Sequence, residues 1–184
     1  MSGAWFETVD QREVYRGFSS VRVDTVRTPD GGTVEREIVE HDEAVAIVPM
    51  TEDGQVLLLR QYRQPVGRYL LEIPAGTLDV EGESVTEAAR RELAEELHVE
   101  VQRLEPLTVF LNSAGWCTER THVLLGHPTA PVPAPDGFVA DAEEAHMEVV
   151  SFPLDLAIES VVDGTITDAK SVIGLLLAER SLRG

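Results

Sequence analysis

Between Gly76 and Val99 the chain reads GTLDVEGESVTEAARRELAEELHV, and one short helix in that stretch must carry an apolar stripe and a cluster of acids side by side. Ser84-Val85-Thr86-Glu87 has the S-x-x-E spacing of a capping box, in which the serine oxygen takes a first-turn N–H and the glutamate reaches back to the cap. The helix therefore starts just after Glu83. Val85, Ala89, Leu93 and Leu97 recur every four residues, with Ala88 beside them, and form one face for a core. Glu92 and Glu96 lie one turn apart along the edge of that face, and Glu95 is three residues from Glu92. Like charges in partial burial repel unless a cation joins them. Oxygen donors without His or Cys suit a hard divalent ion, Mg²⁺ or Mn²⁺. Arg91, four residues before Glu95, can pin a glutamate of the cluster.

The plain alternative is a solvated helix, because Glu/Arg-rich helices are common and exposed ion pairs contribute little. What precedes the helix argues against it. Leu70 to Gly76 reads as a strand ended by Pro74 and Gly76, and the loop from Thr77 to Glu83 returns the chain to the helix start. Such a turn can bring the backbone carbonyl of Ala75 to the same ion as the glutamates.

Charge bounds the partners. A formal net charge of −18 and a pI near 4.5 argue against nucleic-acid binding, which depends on Lys and Arg neutralising phosphates. A small anionic substrate is repelled by the same field, so metal ions and a few arginines must supply the attraction. The single cysteine, Cys117, excludes an internal disulfide and a multi-Cys metal site. No apolar run approaches the roughly 20 residues that span a bilayer, and the start MSGAWFETVD lacks a signal pattern. The expectation is a cytoplasmic protein with no membrane partner.

Short β segments are expected at 13–16, 21–26 and 33–40, with a turn at Pro29–Gly32, forming an antiparallel meander. Ala44–Pro49 and Gln55–Tyr62 read as buried strands joined by a turn at Glu52–Gly54, and further β segments fall at 109–111 and 122–125. A last helix runs from Asp168 to Ser181, and the Pro-rich stretch from His127 to Ala142 reads as a surface loop.

These residues together resemble the Nudix box, Gly-x5-Glu-x7-Arg-Glu-U-x-Glu-Glu-x-Gly-U, where U is bulky and aliphatic. Gly76, Glu83, Arg91, Glu92, Leu93, Glu95, Glu96 and Val99 fall in register. Six residues rather than five separate Gly76 from Glu83, and His98 stands where the family has Gly. That position follows the helix end and favours φ > 0, which strains a histidine tolerably. The resemblance implies the Nudix fold, an α/β/α sandwich with a mixed β-sheet, here preceded by a small N-terminal antiparallel β segment. It divides the chain into that segment at 1–40 and a hydrolase domain at 41–184.

Beyond the box, EREIVEH (Glu35 to His41), RQYRQPVGRYLLEIPAG (Arg60 to Gly76) and DGTITDAKSVIGLLLA (Asp163 to Ala178) are similar to the ADP-ribose pyrophosphatase branch. The resemblance implies N-terminal strands exchanged in a homodimer, adenosine recognition by Arg36 and Glu37, and a diphosphate contact by Arg63. For Arg36 and Glu37 an ordinary cross-strand pair is the competing reading. The loop from Leu111 to Glu119 matches the family's second catalytic loop, with Glu119 where the branch has a proposed base. Gly115 and Trp116 in this loop are candidates for substrate contact, although a loop Trp is as often a packing anchor. Ala114 replaces the proline that marks ADP-ribose specificity in that branch. Glu143 and Glu144 match a further acidic loop.

The chemistry implied is metal-dependent attack of water on a diphosphate. Glu92, Glu96, Glu95 and the Ala75 carbonyl would hold Mg²⁺ (Mn²⁺ as substitute), with Glu119 or Glu95 as base and Arg91 orienting the acids. ADP-ribose would give AMP and ribose 5-phosphate. Two alternatives stand beside this: a hydrolase of another nucleotide sugar or a dinucleotide, and a sensor that binds ADP-ribose without cleaving it.

Overall fold

A computed structural model of the chain describes residues 5–135 and 146–184. The described residues form ten strands and three α-helices in two compact units, Met1–Glu43 with Leu111–Arg120, and Ala44–Phe110 with Thr121–Gly184.

In the first unit β1 (Glu7–Arg16), β2 (Ser20–Arg27) and β3 (Thr33–Glu40) make an antiparallel sheet in that order. The meander expected from the sequence is present, with β1 beginning earlier than its Val and Tyr residues suggest. All ten β1 residues are exposed, so alternation could not reveal its length. The segment 111–120 ties to β3: Val39 N–H donates to the Trp116 carbonyl at 2.7 Å, and Thr118 N–H donates to the Val39 carbonyl at 3.0 Å.

In the second unit β4 (Ala44–Pro49) is wholly buried, and its alternation decides the layering. Val45 and Ile47 face the apolar stripe of α1 (Val85–Glu96), packing with Ala88, Ala89, Leu93 and Leu97. Ala46 and Val48 face the opposite way, with Leu175 and Ala178 of α3 (Ala169–Arg183) and Ala157 of α2 (Leu154–Val162). A strand covered on both faces by helices is the centre of an α/β/α sandwich. β4 pairs parallel with β9 (Arg120–Pro131), and the four-stranded order is β7-β4-β9-β8, with β7 at Ala75–Thr77 and β8 at Val99–Leu111. A three-stranded antiparallel sheet, β10-β5-β6, holds β10 (Glu148–Pro153), β5 (Gln55–Arg63) and β6 (Arg68–Glu72). The turn at Glu52–Gly54 therefore joins strands of different sheets, linked by one bridge from Met50 to Val56.

Several expectations need correction. Leu70 to Gly76 is not one strand: β6 stops at Glu72, Ile73 and Pro74 cross between sheets, and β7 starts at Ala75. The Pro74 carbonyl accepts from Ile47 N–H at 3.0 Å, so the break is itself bonded to β4. The stretch from His127 is not loop at its start, because β9 continues to Pro131; the remainder beyond residue 135, with Glu143 and Glu144, lies outside the described residues. β10 and α2 went unread.

α1 ends and begins as its sequence demands. Ser84 N–H donates to Glu87 Oε2 at 2.8 Å and Glu87 N–H donates to Ser84 Oγ at 3.2 Å, a complete capping box. After the C-terminal Leu97, His98 takes φ 53°, the left-handed conformation expected at the family's glycine position. α3 approaches the sheet closely through Gly174, where a Cβ would sit 2.9 Å from Ile73 Cδ1 and 3.0 Å from Val48 Cγ2. Its cap, Asp168, accepts from Ser171 N–H and from Lys170 Nζ, while Ser171 Oγ accepts Ile73 N–H at 2.9 Å. No helix among the described residues is long and apolar enough to cross a membrane.

Burial acts to raise the Asp168 carboxyl, but Lys170 and the Ser171 hydrogen bonds outweigh it and hold it below its ordinary value. Such a group stabilises the fold above its unfolded pKa of about 4, and that contribution is lost as falling pH protonates the folded carboxyl. Asp168→Ala is therefore expected to cost about 1–3 kcal/mol at pH 7. Urea unfolding in steps down to pH 3 should show the gap to the unmodified protein narrowing only at the acid end.

Candidate active site

Arg91 gathers the acids. Its Nε and Nη2 donate to the two Glu83 oxygens at 3.1 and 3.0 Å, a fork that places the loop residue before the helix against the second turn. Nη1 donates to Glu92 Oε1 at 2.6 Å and to Glu95 Oε2 at 3.3 Å, and Nη2 reaches the Thr77 carbonyl at 3.4 Å. Hydrogen bonding to Glu83 is the foremost cause of an Arg91 pKa above its ordinary value; burial opposes it and the charges of Glu92 and Glu83 reinforce it. The arginine stays charged throughout any working pH range.

Glu92 is 8% exposed and lies over Gly76. A Cβ at Gly76 would overlap the Glu92 carboxylate, so only glycine leaves that carboxylate its place. Glu96 Oε2 accepts the Ala75 N–H at 3.2 Å, which ties the helix to β7. Arg63, at the end of β5, is forked onto Glu72: Nε donates to Oε1 at 2.9 Å and Nη2 to Oε2 at 2.7 Å. The Glu72 hydrogen bond is the leading cause of a raised Arg63 pKa, against the effect of burial.

One open, polar cleft of about 260 Å³ collects Arg63, Ala75, Arg91, Glu92, Glu95 and Glu96, six of the residues singled out in the sequence. Gln61, Gly76, Thr77 and Asp79 complete its wall. Of these Gln61, Thr77 and Asp79 were not anticipated as site residues. Gln61 had a signal, since it shares a strand face with Arg63 two residues on. Thr77 and Asp79 follow Gly76 directly but carry no spacing of their own.

Four carboxylates face two guanidinium groups in this lining, so an anion entering alone would be repelled. Glu92, Glu95 and Glu96 offer oxygen donors only, and the space kept by Gly76 seats a carboxylate; this set fits a hard divalent ion. With Glu92 and Glu95 turned to Arg91 and Glu96 to the Ala75 amide, no three His, Cys, Asp or Glu side chains among the described residues form a ready metal cluster.

The first unit holds the other candidates. Arg36, Glu37, Gly115 and Trp116 line a hollow of about 240 Å³ together with Arg22, Ile38, Ala114, Cys117 and Thr118. Trp116 is 56% exposed. Arg22, unassigned from sequence, is braced by Asp24 at 2.8 Å and by Glu40. Glu119 closes the 111–119 loop: its carbonyl accepts Asn112 N–H at 3.1 Å and its N–H donates to Cys117 Sγ at 3.4 Å. It does not line that hollow.

The NUDIX domain matches residues 40–172, most of the chain. This chain belongs to the Nudix family, whose pyrophosphatase members generally depend on a divalent metal. It is 37% identical over 172 residues to an ADP-ribose pyrophosphatase of Mycobacterium tuberculosis, covering 93% of this chain and 82% of that one. An ADP-ribose pyrophosphatase of Bacillus subtilis is 31% identical over 170 residues, covering 92% and 90%. A solved ADP compounds hydrolase superposes with a TM-score of 0.84 at 23% identity over 97% of this chain and 95% of that one, which shows the shared fold.

Gly76→Ala should displace Glu92 while leaving the core intact. The Mg²⁺ concentration for half-maximal hydrolysis is expected to rise about 10–100-fold, as for lost ligand orientation. The thermal midpoint, read by circular dichroism, should fall less than it does for truncating the buried Leu93.

Proposed function

We propose that this protein hydrolyses the diphosphate bond of a nucleoside diphosphate sugar, with ADP-ribose cut to AMP and ribose 5-phosphate as its reaction. The observation that carries this reading is the cleft of Arg63, Glu92, Glu95 and Glu96, found in a chain 37% identical to an ADP-ribose pyrophosphatase over nearly its full length.

Glu92, Glu96, Glu95 and the Ala75 carbonyl are the proposed holders of Mg²⁺, with Mn²⁺ as a substitute. When bound, the cation would neutralise the diphosphate and make a water more acidic. Arg91 draws Glu92 and Glu95 onto one nitrogen, and Arg63 offers a guanidinium edge to the diphosphate. Glu119, or Glu95 within the cleft, takes the proton of the attacking water. Arg36 and Glu37 hydrogen-bond the adenosine end, with Gly115 leaving room beside the Trp116 ring for stacking. With charge as the main obstacle, positioning and electrostatic stabilisation supply most of the acceleration.

A homodimer with exchanged N-terminal strands belongs to this reading. Its support is the exposed apolar surface of Trp5, Phe6, Val14, Tyr15 and Phe18 in the first unit, of a kind monomers seldom leave bare. Sedimentation equilibrium should give a dimer, and Val14→Glu with Tyr15→Glu should shift it toward monomer.

Ala114, in place of the branch's marker proline, favours a second reading in which another nucleotide sugar fills the pocket. A sensor that binds without cleaving has no use for a half-buried acid cluster, which is costly to keep.

The purified protein with Mg²⁺ is to be offered ADP-ribose, ADP-glucose, GDP-mannose, UDP-glucose and NADH, with products separated by chromatography. AMP chiefly from ADP-ribose is expected, and Glu96→Gln should lower the rate by about three orders of magnitude or more while the fold persists. Cleavage of another substrate would reassign the pocket, and full activity of Glu96→Gln would overturn the metal assignment.

A further inference from the structure

Glu72 is 2% exposed, a full carboxylate inside the second unit, and no spacing in the sequence singles it out. It is the last residue of β6 and lies opposite Leu59 of β5, on the strand face that also carries Gln61 and Arg63. Arg63 is four residues further along β5, so its side chain folds back over Gln61 to reach Glu72. An unanchored arginine at a strand end samples many rotamers; this one is held at two nitrogens by one buried carboxylate. Nη1 makes no hydrogen bond to any described residue, and the side chain stays 35% exposed at the cleft. The residue after Glu72 is fixed in turn, since Ile73 N–H donates to the buried Ser171 Oγ.

We propose that Glu72 is a positioning residue for the reaction: it locks Nε and Nη2 of Arg63 so that Nη1 is presented to the substrate diphosphate. The proposal rests on the diphosphate role of Arg63 given above. Without the fork the guanidinium remains charged but loses its direction, so binding of the diphosphate weakens while the acids of α1 keep their geometry.

The test compares steady-state kinetics of the unmodified protein, Glu72→Gln, Arg63→Gln and the double variant on whichever nucleotide sugar the panel identifies. KM is expected to rise about tenfold in each single variant with kcat within about threefold, the loss of one charge-assisted contact. The double variant should be no worse than Arg63→Gln, because both changes remove the same contact. A folded Glu72→Gln with unchanged KM overturns the proposal, and so do effects that multiply in the double variant. Should Glu72→Gln fail to fold, Glu72→Asp takes its place: the charge is kept, the fork is pulled away, and a smaller KM rise with the same non-additivity is expected, an unchanged KM being the contrary result. A second arm needs no substrate. The Arg63 Nε–H resonance, assigned by its loss in Arg63→Gln, should exchange slowly with water and quicken in the Glu72 variant. Failure of every substrate would sink the functional reading alone, while rapid exchange in the unmodified protein would sink the lock.

Discussion

The Arg91 guanidinium is the interaction on which the site depends. Four glutamates within one turn and a half of helix and its leading loop would repel one another, and the loop before the helix is exposed from Asp79 to Gly82. One cation answers both problems: its fork fixes Glu83, its Nη1 restrains Glu92 and Glu95, and it touches the Thr77 carbonyl. Partial burial strengthens these bonds and makes each more costly to break singly. The acids can therefore stand close together in the folded protein, held by Arg91 and by the Ala75 amide.

The scaffold beneath serves this cluster through one strand. β4 sends alternate residues to α1 and to α2 and α3, so the helix bearing the acids is pressed against the same strand that pairs with β7. β7 is only three residues long, yet it places Gly76 under Glu92 and the Ala75 amide on Glu96. The crossover at Ile73–Pro74 is bonded on both sides, to β4 and to Ser171. Apolar packing thus sets the position of the polar groups to within hydrogen-bond distance.

Much of this was legible. The cap at Ser84, the apolar stripe of α1, the left-handed His98 and the span of β4 follow from local chemistry, where each residue's neighbours in sequence are its neighbours in space. β10 and α2 were missed because β10 is a partly exposed edge strand and α2 starts after Pro153 with no side-chain cap, its first turn marked only by Asp155. The split of Leu70 to Gly76 was hidden for another reason: a continuous apolar run looks the same whether one sheet or two receive it. The likeness to Nudix relatives supplied the family, but it could not say that Glu72 would face Arg63.

What the sequence determined by itself was the list of groups and their local order: acids and arginine on one helix edge, a glycine before them, a buried strand ending beside Arg63, an N-terminal meander. These are consequences of periodicity and capping, which act over a few residues. Only tertiary structure decided which groups meet. Glu92 over Gly76, Glu96 on the Ala75 amide and Arg63 on Glu72 join residues between nine and twenty-one positions apart. The first two are set by the packing of β4, β7 and α1 against one another and the third by the pairing of β5 with β6, and no local pattern encodes those distances.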